Sequence, residues 1–302
     1  MHNTQPVETS TEISPPVGSY DPDNGHIAVR VRDGNSASLG GVPVRVTGSS
    51  VDRTQTTIDG SGCAFFGFLP PGTYSVTLGT TGWVDRQGDA VPTQSVGATA
   101  ATITSVAFDY DQAATIALAL SGSRGGLPAN AVPITLANTG LLPAGFKTVT
   151  GNGITRTLSN LFPFSDGYQI LGGDCADADP EGVDSSGRRF WPSASRDDGV
   201  DVTGGATTAS TLTMHTLQIA FARDTVGSTL TVVAVHAADN GCGSGSTLTV
   251  ASFTADGTSQ LVALPYGTWS IQVLGATPHD SWPTAVMNPT NSGLQTVNVR
   301  IR

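Results

Sequence analysis

The sequence predicts an all-β chain: three tandem β-sandwich domains preceded by an extended N-terminal segment. Three observations carry that expectation. Apolar residues alternate with period two in short runs, Gly and Pro punctuate the runs, and a turn–aromatic–strand unit returns at a domain-sized interval. The 302 residues include 37 Gly and 18 Pro, a frequency that breaks long helices. No window shows helical periodicity of comparable length.

Residues 1–24 begin MHNTQPVETSTEISPPVGSY. They are polar and Pro-containing, and read as an extended lead-in. Opening strands follow as HIAVRVRD at 26–33, ATIALALS at 114–121 and LQIAFARD at 217–224. In the first, Ile27, Val29 and Val31 face one way, while Ala28, Arg30 and Arg32 face the other, the pattern of a sheet with one buried face. Second strands read GVPVRVTG at 41–48, AVPITLAN at 131–138 and TLTVVAVHA at 229–237. Asp59-Gly60 and Asp256-Gly257 come next, and Asp-Gly between extended runs is a hairpin cue. In CAFFGFL at 63–69, Phe66 and Phe68 take alternating core positions, and Cys63 reads as a small buried hydrophobe.

The repeated unit is a Pro/Gly turn, an aromatic residue and a strand: LPPGTYSVTL, LFPFSDGYQI and ALPYGTWSIQV. Its anchors Tyr74, Tyr168 and Trp269 lie about 100 residues apart, the size of one small domain. Trp269 therefore belongs in a core, as Tyr74 and Tyr168 do. Closing strands are TITSVAFDY at 102–110, TTASTLTM at 207–214 and LQTVNVRI at 294–301. These marks divide the chain into domains at 25–112, 113–214 and 215–302, with short Pro-flanked linkers near Asp111 and His215 that predict a semi-rigid rod.

Composition excludes several roles. Charged residues make up 13% of the chain and net charge is −10, with the 14 basic residues scattered and Lys147 the sole lysine. Without a basic run, nucleic acid is not an expected partner, and the acidic balance repels anionic lipid surfaces. The arginine bias is that of a GC-rich bacterial coding sequence. No run of 18 apolar residues is present, so no membrane-spanning helix is expected. No secretory signal is visible at the start, so export implies that a targeting segment has been removed.

Chemistry-bearing motifs are sparse. His2, His26, His215, His236 and His279 form no metal signature and read as solvated or strand-flanking. There is no G-x-S-x-G followed by a helix, and Gly241–Gly245 lacks the Lys of a phosphate cradle. The reading is a non-enzyme. Among three cysteines without C-x-x-C spacing, no structural zinc site is expected. Cys175 and Cys242, both in Gly-rich loops, are the disulfide candidates. Asp174, Asp177, Asp179, Glu181 and Asp184 form an acidic loop rich in hard oxygen donors, a Ca²⁺ candidate. It lacks the D-x-[DN]-x-[DN]-G register, so a solvated loop is the competing reading. Trp83, Trp191 and Trp282 lie in loop-like contexts and are the candidates for ligand contact.

The GVPV, TIDGSG and FGFLPPGTYSV elements of the first copy, with the following Gly82, resemble a carboxypeptidase-regulatory-like domain. Such domains sit with the transthyretin-like and collagen-adhesin B-type repeats, which implies a Greek-key, immunoglobulin-like sandwich of about seven strands. Together PPVGSYDP, GCAFFGFLPPGTY, DYDQAAT, GDCADADPEG and LPYGTWSIQV resemble the ectodomain of actinobacterial prepilin-like (type IV pilin-like) surface proteins. That resemblance implies a cell-surface, filament-forming role, with self-association or other surface proteins as partners. Collagen-adhesin repeats often carry a Lys–Asn isopeptide bond. The first and third copies have no Lys, and Lys147 of the second falls in an expected mid-domain loop, so the bond is not expected. The alternatives are an adhesin or carbohydrate-binding module for a glycan or host-matrix ligand, and accessory domains of an enzyme lying outside this chain. If subunits polymerise, the N-terminal segment is the natural candidate for pairing with a neighbour's sheet edge.

Overall fold

The computed structural model describes residues 23–130, 132–138, 140–141, 146–149, 151, 153–172, 200–221, 229–236, 247–254, 259–265, 267–287 and 293–302. Among these the chain is all-β, with no helix. The described residues fall into two compact units, one drawn from 23–115, 159–165 and 201–207 and the other from 116–158, 166–172, 200 and 208–302.

The first unit contains β1 (Gly25–Arg32), β2 (Pro43–Gly48), β3 (Val51–Thr56), β4 (Cys63–Leu69), β5 (Gly72–Leu78), β6 (Trp83–Asp85), β7 (Thr93–Ala98) and β8 (Ile103–Gln112). They make two four-stranded sheets, ordered β4-β1-β8-β6 and β3-β2-β5-β7. Every pair is antiparallel except β1 with β8, which is parallel. The inward faces fill one core: Ile27, Val29 and Val31 of β1 meet Val44, Val46, Val76 and Leu78, with Phe66, Tyr74 and Tyr110 between the sheets. Each fully buried Val, Ile or Phe contributes about 1.5–3 kcal/mol, and this core is what the period-two pattern encodes. Ala28, on the other face of β1, is also buried, because Phe65 and Ser105 flank it on the neighbouring strands.

Three local expectations are corrected here. Asp59-Gly60 turns the chain through an antiparallel bridge between Ile58 and Cys63, but does not pair β3 with β4, which belong to different sheets. The loop is instead a compact crossover. Gly60 (φ 81°) and Gly62 (φ 64°) take left-handed backbone, and a Cβ on Gly62 would meet the Val31 carbonyl oxygen at 2.5 Å. The tight hairpin joins β2 to β3, where Gly48 faces Val51. Its two-residue loop, Ser49 and Ser50, has φ of 44° and 65°, the primed turn that suits strand twist. Phe68 is not in the core: the β1–β4 register shifts near Gly25, Phe68 takes φ 57° and is 41% exposed. Leu69 fills the inward position instead. Cys63, first residue of β4, is only half-buried.

The second unit contains most of β9 (Ala114–Gly122), β13 (Thr155–Leu161) and β15 (Thr207–Phe221), with β10 (Leu127–Pro128), β11 (Ile134–Ala137), β12 (Phe146–Val149) and β14 (Gln169–Gly172). The rest are β16 (Thr229–His236), β17 (Thr247–Thr254), β18 (Gln260–Leu264), β19 (Gly267–Val273), β20 (Thr284–Met287) and β21 (Gln295–Val299). One six-stranded sheet has the order β10-β18-β15-β9-β13, with β21 also on β15. The others are β12-β11-β14 and β17-β16-β19-β20.

The strand plan of the first unit returns around β15. β18 pairs with it antiparallel and β21 parallel, as β4 and β8 do with β1. Likewise β16 pairs β17 and β19, and β19 pairs β20, as β2 pairs β3 and β5, and β5 pairs β7. The expected linker at His215 is replaced by continuous strand. The runs read as a closing strand at 207–214 and an opening strand at 217–224 are one strand through Phe221, and residues 222–228 lie outside the described residues. His215 pairs with Leu264 inside the sheet and is buried, not solvated. Lys147 lies on β12, not in a loop, and is exposed.

Candidate functional site

The repeated aromatic is an anchor with a polar tip. Pro in the preceding turn places a carbonyl four residues upstream, and the ring reaches back to it. Tyr74 donates its hydroxyl to the Pro70 carbonyl at 2.7 Å, and Trp269 donates Nε1–H to the Pro265 carbonyl at 2.9 Å. Tyr74, Tyr168 and Trp269 are at most 1% exposed. Buried Tyr and Trp need a partner for their polar atom, and the turn supplies it for Tyr74 and Trp269. These positions hold the fold and offer nothing to a ligand.

Trp83 lies on β6, not in a loop, and packs half-buried against the first core. Its ring lies 5.7 Å from that of Tyr110. The Tyr110 hydroxyl accepts from Thr80 N–H at 2.9 Å and faces the carbonyls of Ala90 at 2.9 Å and Thr80 at 3.2 Å. Asp85 folds the next loop, its Oδ1 accepting from Gln87 N–H at 2.9 Å and Asp89 N–H at 2.8 Å. Burial holds this carboxyl above its ordinary range despite those bonds. Arg86 Nε meets Asp109 Oδ2 at 2.7 Å, and its guanidinium carbon lies 6.0 and 5.8 Å from the Phe162 and Phe164 ring centres. That cation–π distance ties residues 159–165 onto the first unit.

The outward face of the β4-β1-β8 sheet is the most unusual surface. Along β1 it presents His26, Ala28, Arg30 and Arg32. At one end His26, 3% exposed, stacks on Phe65 at 5.5 Å and meets Phe68 edge-on at 5.7 Å. Its Nδ1 accepts the Phe68 N–H at 3.3 Å, which fixes the bulge that turns Phe68 outward. Of the two readings for His26, solvated or strand-flanking, the first is excluded: it is buried near the start of β1. In mid-strand, Arg30 lies between Cys63 and Ala107. Arg32 faces Asp109 across the strand pair, but Asp109 is taken by Arg86. Among the described residues the side chains of Arg30 and Arg32 have no hydrogen bond or ion pair, and Arg32 Nε is buried without an acceptor.

Several sheet edges are closed by side chains. Arg53 Nη1 on β3 donates to the Gly67 carbonyl of β4 at 2.8 Å. Gln94 Nε2 on β7 donates to Ala107 O at 2.9 Å, and Thr104 Oγ1 on β8 donates to Gly97 O at 2.8 Å. In the second unit the Gln295 side-chain amide donates to Val286 O at 2.6 Å and accepts from Val286 N–H at 3.2 Å, occupying the open edge of β20. Such plugs blunt edge-to-edge pairing.

The acidic-loop residues Asp174, Asp177, Asp179, Glu181 and Asp184, the cysteines Cys175 and Cys242, and Trp191 lie outside the described residues. Trp282 is half-buried in the coil before β20. Among the described residues no group of three or more His, Cys, Asp or Glu is placed to hold a metal. The arginine pair and the Phe68 bulge were not singled out in the sequence. The i, i+2 arginines were legible as a shared outward face. The bulge was not, because it depends on pairing.

No protein-family model matches the chain, and no curated protein matches it. Among solved structures, the Bacillus anthracis TIE protein is 14% identical with a TM-score of 0.29, covering 93% of this chain and 51% of its own. This chain thus spans about half the length of that protein. GBS52, the minor pilin of Streptococcus agalactiae, is 13% identical at TM-score 0.26, covering 63% of this chain and 94% of its own. BcpA, the major pilin subunit of Bacillus cereus, is 9% identical at TM-score 0.27, covering 92% of this chain and 99% of its own. At TM-scores this low no function passes from these proteins to this chain.

Proposed function

We propose that the chain is a non-catalytic structural and interaction protein of the bacterial cell surface, a subunit or component of a pilus- or filament-type appendage built from three sandwich domains at 25–112, 113–214 and 215–302. One observation carries the reading. β15 runs unbroken from Thr207 to Phe221 and joins strands of the second and third sequence copies into one six-stranded sheet. A shared hydrogen-bonded sheet resists bending where a flexible linker would not, which is the property a projecting stalk requires. The resemblance to prepilin-like ectodomains supports the same reading. Electron microscopy of native surface material tests it: filaments with a regular subunit repeat are expected, and isolated short rods would overturn the filament role.

Two expectations outside the described residues stand as proposals. Cys175 and Cys242 form a disulfide, which peptide mapping without reductant would show as a linked pair. The acidic segment from Asp174 to Asp184 is solvated or takes Ca²⁺, and isothermal titration with CaCl₂ separates the two. A glycan-binding role would use the loop aromatics Trp83, Trp191 and Trp282, of which Trp282 is half-buried in the coil before β20. Loss of glycan-array binding on Trp282→Ala would favour it.

A further inference from the structure

We infer that the outward β4-β1-β8 face of the first unit is a docking surface for the acidic surface of a second copy of this chain, giving head-to-tail association. This rests on the self-associating reading above and names the surface it would use.

Four observations point there. Arg30 and Arg32 stand two residues apart on the same side of a central strand, their side chains without hydrogen-bond or ion-pair partners among the described residues. Arg32 is half-buried with an Nε that has no acceptor, so its charge lacks compensation among the described residues and favours an acidic neighbour. Their strip continues for about 20 Å along β1 into the His26, Phe65 and Phe68 cluster. Phe68 holds a left-handed φ of 57° while 41% exposed, strain that packing of its own ring only partly repays and that marks functional surfaces.

The corresponding face around β15 gives the internal contrast. There Gln218 Nε2 donates to Ser259 Oγ, and Thr296 Oγ1 donates to Gln218 Oε1 at 2.9 Å, so those polar groups already partner one another.

The choice of occupant follows from charge. The chain carries 24 acidic against 14 basic residues, net −10, so a second copy offers an excess of carboxylates to arginines whose side chains lack partners among the described residues. The patch and its acidic partner are different surfaces, which makes the contact heterologous and open-ended instead of a closed dimer. The plugged edges described above fit face docking better than strand addition.

The test is sedimentation velocity of the full chain over a concentration series, at about 0.05 M and about 0.5 M salt. Wild type is compared with Arg30→Gln/Arg32→Gln and with Arg30→Lys/Arg32→Lys, folding being checked by circular dichroism and melting. The expected result is salt-sensitive association of the wild type, weakened at least about tenfold in the Gln pair and largely kept in the Lys pair. Equal association of wild type and a folded Gln pair overturns the docking surface while leaving self-association standing. A wild type that stays monomeric throughout overturns both.

Discussion

Removing one hydroxyl from Tyr110 tests how the first unit is held at the β6–β8 corner. In Tyr110→Phe the ring stays and keeps its contact with Trp83, but the Thr80 N–H loses its acceptor at 2.9 Å and the Ala90 carbonyl loses its donor at 2.9 Å. The Thr80 donor is part-buried, so leaving it unmatched costs up to about 1–3 kcal/mol, and a lost neutral bond about 1 kcal/mol. A carbonyl with a second lone pair suffers less. The sum is about 2–4 kcal/mol. Tyr74→Phe is the control: it removes only the bond to the Pro70 carbonyl, about 1 kcal/mol. Native-state amide exchange resolves the first unit from the second. The Val29 and Val31 amides of β1 report global opening of that unit, and the Thr80 amide reports the corner. Tyr110→Phe should lower the β1 protection more than Tyr74→Phe, and should unprotect Thr80 beyond that global loss. Equal effects of the two substitutions, or an unchanged Thr80 amide, would refute the reasoning.

Other outcomes follow from the same geometry. Thr57→Val removes a buried hydroxyl that donates to Leu39 O at 2.7 Å and accepts from Val42 N–H at 3.0 Å, so urea denaturation should show a loss of about 2–4 kcal/mol. Asp85→Asn should stabilise the unit near neutral pH, with direction set by burial of the carboxylate. A folded-state pKa raised above the unfolded value makes the charged form the penalised one. The gain should therefore be full above the folded pKa and vanish as pH falls below the ordinary aspartate range, read by melting temperature against pH. Arg156, 6% exposed, bonds Val132 O through Nη1 and leaves Nε and Nη2 without acceptors among the described residues. Arg156→Met should raise stability by about 1–4 kcal/mol in urea denaturation, and a loss would reveal a partner for the guanidinium. The Arg45–Asp52 pair at 2.7 Å is about 60% exposed on both sides, so Asp52→Ala should leave the melting temperature unchanged.

Much of the fold was legible because its cause is local. Alternation in HIAVRVRD specifies which side of β1 is buried, whatever that strand pairs with, and Ile27, Val29 and Val31 are fully buried. The Pro–Gly–aromatic turn likewise marks a corner wherever it occurs, since the ring and the carbonyl it bonds lie four residues apart. The edge strand β3 was missed because VDRTQT is solvated on nearly every residue and carries no alternation to read. What only the tertiary structure decided depends on partners distant in sequence. The bulge that expels Phe68 arises from pairing with β1 and from His26, 42 residues away. The merger of two expected strands into β15 depends on β18 and β9 flanking it. The unpaired state of Arg32 depends on Arg86 having captured Asp109. A period-two pattern fixes which face of a strand is buried, but register and charge pairing are set by which strands come to lie beside it.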